Sequence, residues 1–224
     1  IRKSMVLRAD EIVAVSDKLR SDMLRYISSD TIKVIGNHVD ETMFTFKEKS
    51  ESDIARFLHI STLDRNTKNP VGIVDACKLL KDESLPFHLT IVSDEDASEW
   101  TQYSKERGVD DVITFVGPQE WENVPQFYHQ ANAFVLNSDY ETFSIVLAEA
   151  LSTGTPIVTT EVGIAPEIPD TMKVSVKTKD PESLKDGMKE IIQGRQFDYK
   201  AIAKFGENYH STTILNAWDQ IISK

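Results

Sequence analysis

A chain of 224 residues is long enough to bury a sizeable core, as one large domain or as one and a half. Its formal net charge of -11 opposes broad attraction to nucleic acid or to anionic membrane surfaces, because both require clustered positive charge. No apolar run approaches the roughly 20 residues that span a bilayer, and the opening residues do not read as a charged-then-apolar leader, so a soluble protein is expected. The single cysteine, Cys77, excludes an internal disulfide and fits a reducing compartment. It lies in an apolar periodic run, which makes it a packing residue rather than a nucleophile.

In chain order, the hydrophobic periodicity predicts a strand over 11–15, a helix over 17–27 and a strand over 32–35. A polar connection over 47–53, charged and without apolar period, marks a boundary. Beyond it strands and helices alternate: strand 55–60, helix 70–81, strand 87–92, helix 97–107, strand 112–115, helix 121–130, strand 133–136, helix 144–153 and strand 156–159. Helices over 184–192, 199–205 and 213–222 close the chain. Short apolar strands separated by helices argue for an α/β fold, a doubly wound, Rossmann-like parallel sheet covered on both faces. Ligands of such sheets bind at the carboxyl ends of the strands, where 61–68, 93–96, Gly117 and 137–141 fall.

The stretch from Asp139 to Val158 says most about function. It joins a polar turn to a helix that carries Glu149, eight residues after Glu141, and then to a buried strand. With Glu141 just before the helix and Glu149 two turns inside it, the carboxylates stand about 12 Å apart at 1.5 Å rise per residue. That is too far for an acid/base couple on one bond, since paired glycosidase carboxylates sit about 5 to 9.5 Å apart. The spacing suits an elongated ligand held at both ends. The N–H groups of Phe143, Ser144 and Ile145, at the positive end of the helix, would face an anionic middle. A nucleoside diphosphate sugar has that layout.

Glu141 to Glu149, with Glu149-Ala150 and Gly-Thr-Pro-Ile-Val from 154 to 158, resembles the Glu-x7-Glu signature of retaining glycosyltransferase family 4. Ala-Asp-Glu-Ile-Val-Ala-Val-Ser from Ala9 is similar to the strand that leaves that family's first domain. Val-Ile-Gly-Asn-His-Val-Asp from Val34 is similar to its Ile-Pro-Asn-Gly-Val-Asp hinge. Lys68-Asn69 follows a strand as the family's Lys-Gly does, Gln126 to Leu136 resembles its helix and strand before the signature, and the likeness covers nearly the whole chain. It implies the C-terminal, donor-binding half of a two-domain GT-B architecture. Residues 1–50 would be the end of the first domain and the hinge, 51–205 the donor domain, and 206–224 a helix crossing back to brace a first domain that lies outside this piece.

The implied activity is retaining transfer of a sugar from a nucleotide diphosphate sugar to a carbohydrate or lipid-linked acceptor held by that first domain. No metal and no other cofactor is implied, and the piece alone is expected to turn over little or nothing. Location would be cytoplasmic, with peripheral attachment at the inner membrane face for the full-length protein. Lys68 takes the place of the diphosphate lysine, Glu141 that of the residue contacting the donor sugar, and Glu149 that of the carboxylate on the ribose hydroxyls. As bare residues these are an ordinary loop lysine, a helix-dipole carboxylate and a helix glutamate; the last, in a helix apolar nearly all round, needs a partner if buried.

Two departures stand out. Ser61-Thr62 replaces the family's Gly-Arg, which removes a phosphate-binding cation at Thr62, and Arg65 in the same loop is the expected substitute. Thr142 replaces a glycine and is expected as the helix N-cap. Ser144 offers its N–H and hydroxyl to phosphate. The acidic turn Ser93-Asp94-Glu95-Asp96 is expected to face the base or solvent, with base contacts from backbone near Gly117 and Pro118. His59, His88, His129 and His210 lack ligand spacing, so no zinc site is expected. Two other functions fit the same residues: a nucleotide-sugar hydrolase or epimerase, told apart by acceptor dependence, and a non-catalytic nucleotide-binding or interaction module.

Overall fold

The computed structural model describes residues 9–27, 32–49 and 52–223. Of the expected polar boundary over 47–53, residues 50 and 51 lie outside the described ones. A short first unit pairs two parallel strands, β1 (Ile12–Ala14) and β2 (Ile32–Val34), with Ile12 opposite Ile32. Between them runs α1 (Asp17–Leu24), where the Ser16 hydroxyl caps the helix by accepting the Leu19 N–H at 3.0 Å. This helix stops short of the expected residue 27. None of its residues is buried, so packing gives no return for further turns.

The main sheet has six strands, all parallel, in the order β5-β4-β3-β6-β7-β8. They are β3 (Ala55–Ile60), β4 (Phe87–Val92), β5 (Ile113–Val116), β6 (Ala133–Leu136), β7 (Ile157–Thr160) and β8 (Lys173–Val176). Strands β6 and β7 are buried at every position, as parallel strands with both faces covered must be. The covering helices are α2 (Pro70–Asp82), α3 (Ser98–Arg107), α4 (Val124–Gln130), α5 (Ile145–Ser152), α6 (Pro181–Ile192) and α7 (Tyr199–Gly206), followed by α8 (Ser211–Ile222).

Two apolar layers result. On one face Ile73, Cys77 and Leu80 of α2 meet Phe57, Leu89 and Val135 of the sheet and Leu184 of α6. On the other, Tyr128 of α4 and Leu147 and Leu151 of α5 meet Phe134 and Leu136, with Ile202 of α7 behind them. Cys77 is fully buried, and burial raises its thiol far above the ordinary range, which leaves it packed and unreactive.

Beyond one-residue shifts at element ends, four further elements differ from the periodicity-based expectation. Strand β8 went unpredicted: Lys-Val-Ser-Val offers only two apolar residues at a sheet edge, and its Lys173 is buried because Nζ donates to Glu161 Oε1 and the Ala165 carbonyl, each at 2.7 Å. The helix expected over 121–130 begins as a 3₁₀ turn, Trp121–Asn123, because Pro125 has no N–H to close an α-helical bond onto Trp121. Helices α6 and α8 start earlier than expected. Each has a carboxylate on its first N–H groups, Asp180 on Ser183 at 3.0 Å and the distant Glu41 on Ser211 at 2.9 Å.

The chain leaves β3 toward β4 and β5, then returns to β6 on the other side and continues to β7 and β8. The connections after β3 and β6 therefore run to opposite sides, which makes the β3/β6 boundary the switch point at whose carboxyl edge such sheets hold ligands in a crevice.

Candidate functional site

The loop after β3 is built around a buried histidine. His59 Nδ1 lies 2.9 Å from the Val135 carbonyl, which can only accept, so Nδ1 carries the proton and Nε2 accepts from the Ser61 hydroxyl at 2.7 Å. Burial, with a smaller contribution from Lys68 and against the Val135 hydrogen bond, lowers the imidazole to about 4, so the ring is neutral at physiological pH. The Ser61 oxygen also accepts the Leu63 N–H, which fixes a turn whose Leu63 has a left-handed backbone (φ 57°) and a buried side chain. Asp64 then accepts from both the N–H and the hydroxyl of Thr67, and the Lys68 N–H reaches the Asp64 carbonyl at 2.8 Å. The result is a tight turn with Lys68 at its end.

The loop after β6 is stitched to this turn. The Asp139 N–H donates to the Thr67 carbonyl at 2.8 Å, and the Thr160 hydroxyl holds the Ser138 carbonyl at 2.6 Å. Lys68 Nζ thereby comes to 2.5 Å from Glu141 Oε1, and the Ser138 hydroxyl donates to that oxygen at 2.8 Å. The two charged side chains are only 21 % and 12 % exposed, so their ion pair is shielded from bulk water.

The turn from Glu141 to Ser144 is clamped from three sides. The fully buried Ser16 donates its hydroxyl to the Thr142 carbonyl at 2.6 Å. The Ile164 N–H donates to the Phe143 carbonyl at 2.9 Å, and the Phe143 ring packs edge-on against Tyr209 at 5.6 Å. Gly163 must be glycine here: its φ is +54°, and a Cβ would sit 2.2 Å from the Phe143 carbonyl oxygen. Ser144, not Thr142, is the N-cap, in a left-handed conformation (φ 72°), and its buried hydroxyl finds no partner among the described residues. Among those residues the N–H groups of Phe143, Ser144 and Ile145 also meet no acceptor.

Glu149 lies one turn inside α5 rather than the expected two, because the helix starts at Ile145. It is 2 % exposed, and its Oε2 accepts from the Tyr128 hydroxyl at 2.7 Å. Burial raises its carboxyl to about 7, against a downward pull from the Tyr128 bond.

Around the crevice further buried polar atoms lack partners among the described residues: Asn69 Nδ2, both amide atoms of Asn137, and Asp139 Oδ1. Native proteins satisfy such groups with ligand or water. The structure thus brings together Lys68, Glu141 and the backbone of 143–145, with Glu149 one turn deeper. Thr62 is exposed on its turn. Arg65 is directed at α3, where its guanidinium pairs with Glu99 and stands 4.9 Å over the Trp100 ring. Gly117 is exposed and, with Pro118, Phe115 and the start of α3, lines a groove of about 470 Å³. Glu95 and Asp96, exposed like Asp94, line the same groove.

Sequence reasoning missed Ser16, His59, Gly163 and Tyr128 as parts of the site. All four act through bonds or contacts to residues far away in the chain, and none has a local pattern that marks it; Ser138 falls within the expected 137–141 loop, but its bond to Glu141 was not read. Among the described residues no three His, Cys, Asp or Glu side chains are grouped to hold a metal ion, and no helix is long and apolar enough to cross a membrane.

Comparison with known proteins gives one consistent result. A family model described as "Glycosyl transferases group 1" matches residues 40–210. Lipopolysaccharide 1,6-galactosyltransferase of Escherichia coli K12 is 28 % identical over 158 residues, which is 68 % of this chain and 43 % of that protein. N-acetyl-alpha-D-glucosaminyl L-malate synthase of Bacillus anthracis is 26 % identical over 170 residues, 72 % of this chain and 44 % of that one. The chain therefore spans less than half the length of these curated relatives. Among solved structures, sucrose-phosphate synthase from Thermosynechococcus elongatus superposes with a TM-score of 0.83 at 22 % identity, over 99 % of this chain and 59 % of its own. Anabaena Alr3699/HepE in complex with UDP gives 0.81 at 18 % identity, over 96 % and 64 %. At those identities the likeness shows the fold, the Rossmann-like half of a GT-B protein.

Proposed function

Because this chain belongs to the glycosyl transferases group 1 family, we propose that it is the donor-binding part of a retaining sugar transferase, which takes its sugar from a nucleoside diphosphate carrier. The observation that carries this is the Lys68–Glu141 pair in the switch-point crevice, beside the unpaired N–H groups of Phe143, Ser144 and Ile145. As the anomeric bond breaks, negative charge accumulates on the departing diphosphate. A fixed ammonium and preorganised N–H donors lower that barrier without a metal ion. Lys68 and the start of α5 supply them.

Glu141 then accepts hydrogen bonds from the donor sugar's hydroxyls and places the anomeric carbon. Glu149 accepts from the ribose, and the groove at Gly117 takes the base. Arg65 is the second cation for the diphosphate where Thr62 leaves a gap, reached by giving up Glu99. In retention the leaving group and the incoming hydroxyl share one face of the sugar, and the departing phosphate accepts the proton. No side chain of this chain serves as nucleophile.

Residues 51–205 form the donor domain, and the segment before them with α8 forms the connection to a domain that holds a carbohydrate or lipid-linked acceptor. The exposed Leu215, Trp218 and Ile222 on α8 support that role, as does the share of the relatives that the chain spans. The complex of Alr3699/HepE with UDP supports a nucleotide donor. Action at the cytoplasmic side, peripheral to the membrane where the acceptor is lipid-linked, belongs to the same reading, with attachment through the acceptor-holding domain, since the charge of -11 opposes attraction of this chain to anionic lipid.

Turnover of a nucleotide sugar by the full-length protein, followed with and without acceptor, is the test. Acceptor-dependent release of nucleotide, with the product's anomeric configuration unchanged by NMR, is expected. Release that ignores the acceptor would mark a hydrolase, and an inverted product would overturn retention.

A further inference from the structure

Tyr128, on α4, is fully buried and fixed at both ends. Its ring packs edge-on to Phe44 at 6.0 Å and tilted against Phe134 at 5.5 Å. Its carbonyl accepts from Lys49 Nζ at 2.6 Å and from the Thr155 hydroxyl at 3.1 Å. The hydroxyl reaches Glu149 Oε2 at 2.7 Å, and the Val146 carbonyl, at 3.2 Å, is a poorer alternative. Glu149 Oε1 receives no hydrogen bond from the described residues.

Nor does a described cation face Glu149. Strands β6 and β7 contribute only apolar residues and threonines. Helix α7, packed against α5, carries Lys200 and Lys204, which bind Glu48 at 3.1 Å and Glu207 at 2.5 Å. On α4 itself, His129 bonds the Thr45 carbonyl instead, and Lys49 meets the backbone end of Tyr128.

We propose that Tyr128 is the positioning residue of this carboxylate: by holding Oε2 it fixes the rotation of the group and reserves Oε1 for the ribose hydroxyls of the nucleotide. This rests on the assignment of Glu149 to the ribose. An ionised carboxylate accepts from both hydroxyls, whereas the neutral acid must spend one oxygen as a donor. Burial favours the neutral acid, and the Tyr128 donor opposes it, so the same bond that aims Glu149 also keeps a larger share of it charged near neutral pH. The sign follows: without the hydroxyl the carboxyl titrates at higher pH, and nucleotide affinity falls at neutral pH but returns in alkali.

The test titrates the Glu149 carboxyl by carbon NMR in the wild type and in Tyr128→Phe, with UDP, GDP and ADP as binding probes at pH 6.5 and 8.5. In the variant the Glu149 midpoint is expected to rise by about one unit, and nucleotide affinity to fall about tenfold at pH 6.5 and far less at pH 8.5. A purely structural role would weaken binding equally at both. An unmoved midpoint in folded Tyr128→Phe overturns the proposal. If Tyr128→Phe does not fold, 3-fluorotyrosine incorporated throughout makes the hydroxyl a stronger donor and should lower the midpoint; no change overturns the proposal equally. Glu149→Gln separates the two layers: nucleotide affinity unchanged in it, or absent in the wild type, overturns the ribose assignment itself, whatever the midpoint does.

Discussion

Lys68 and Glu141 lie 73 residues apart in the chain, yet Nζ of one is 2.5 Å from Oε1 of the other. Two loops bring them together, each leaving a neighbouring strand on its own side of the switch point, and the Asp139 to Thr67 backbone bond ties the loops to each other. The cation and the carboxylate neutralise one another. On the proposed assignment a diphosphate sugar would separate them by giving Lys68 a phosphate and Glu141 a hydroxyl.

The two halves of that pair should therefore fail differently. Lys68→Met removes a charge-assisted contact of about 1.5 to 3 kcal/mol, so diphosphate affinity measured by calorimetry drops by about ten- to a hundredfold. Glu141→Gln leaves affinity for the bare nucleoside diphosphate within about threefold, because the sugar is its target, and lowers kcat of the full-length protein. Equal loss of nucleotide affinity in both variants would contradict this division.

Arg65 and Lys68 share a loop and differ in what holds them. Arg65 is exposed and already engaged by Glu99 and Trp100, and an exposed pair of this kind contributes at most about 1 kcal/mol to stability. Arg65→Ala should leave the unfolding midpoint almost unchanged and reduce diphosphate affinity by about threefold, well short of the effect of Lys68→Met. An unchanged affinity in Arg65→Ala would remove it from the donor site.

Gly163 tests the clamp on the signature turn. In Gly163→Ala the new methyl meets the Phe143 carbonyl carbon at 2.7 Å and its oxygen at 2.2 Å, on a backbone with positive φ. Overpacking and strain of this kind cost about 1 to 3 kcal/mol, and the turn that presents Phe143, Ser144 and Ile145 must shift. Denaturant unfolding should show that cost, and nucleotide binding should fall more than stability alone explains. Unaltered binding would mean that this turn does not touch the nucleotide.

Much of the fold and part of the site are legible in the sequence. Strands β3, β4 and β6 match their expected limits because short runs rich in apolar residues and bounded by turn residues leave few alternatives. The family resemblance singles out Lys68 and Glu141 together. Their direct contact is not readable, since no spacing encodes a bond between residues 68 and 141. Edge strand β8 escapes because Lys173 and Ser175 alternate with its two valines, and nothing in the sequence shows that the lysine is buried on Glu161 and the Ala165 carbonyl. Tyr128 reads in sequence as one more aromatic in a helical run, and only the fold shows its hydroxyl at a buried acid.

Burying Glu149 carries a stability cost that depends on pH. Its carboxyl is raised to about 7 in the folded chain from an ordinary 4.5. Between those values the folded state binds more protons than the unfolded one, so stability falls as pH rises across the window and stays low above it. Glu149→Gln should be more stable than the wild type at pH 8, by an amount on the order of 3 kcal/mol, and the advantage should vanish toward pH 4. A pH-independent difference in unfolding free energy would contradict the assigned shift.

The central claim, a nucleoside diphosphate site at the switch-point crevice, is tested most directly by calorimetric titration of this chain with UDP, GDP and ADP in the presence of a metal chelator, repeated in Lys68→Met and Glu149→Gln. Metal-independent binding of one nucleotide is expected, weakened at least about tenfold in each variant. A folded chain that binds none of the three, or that binds one equally well in both variants, would contradict the claim.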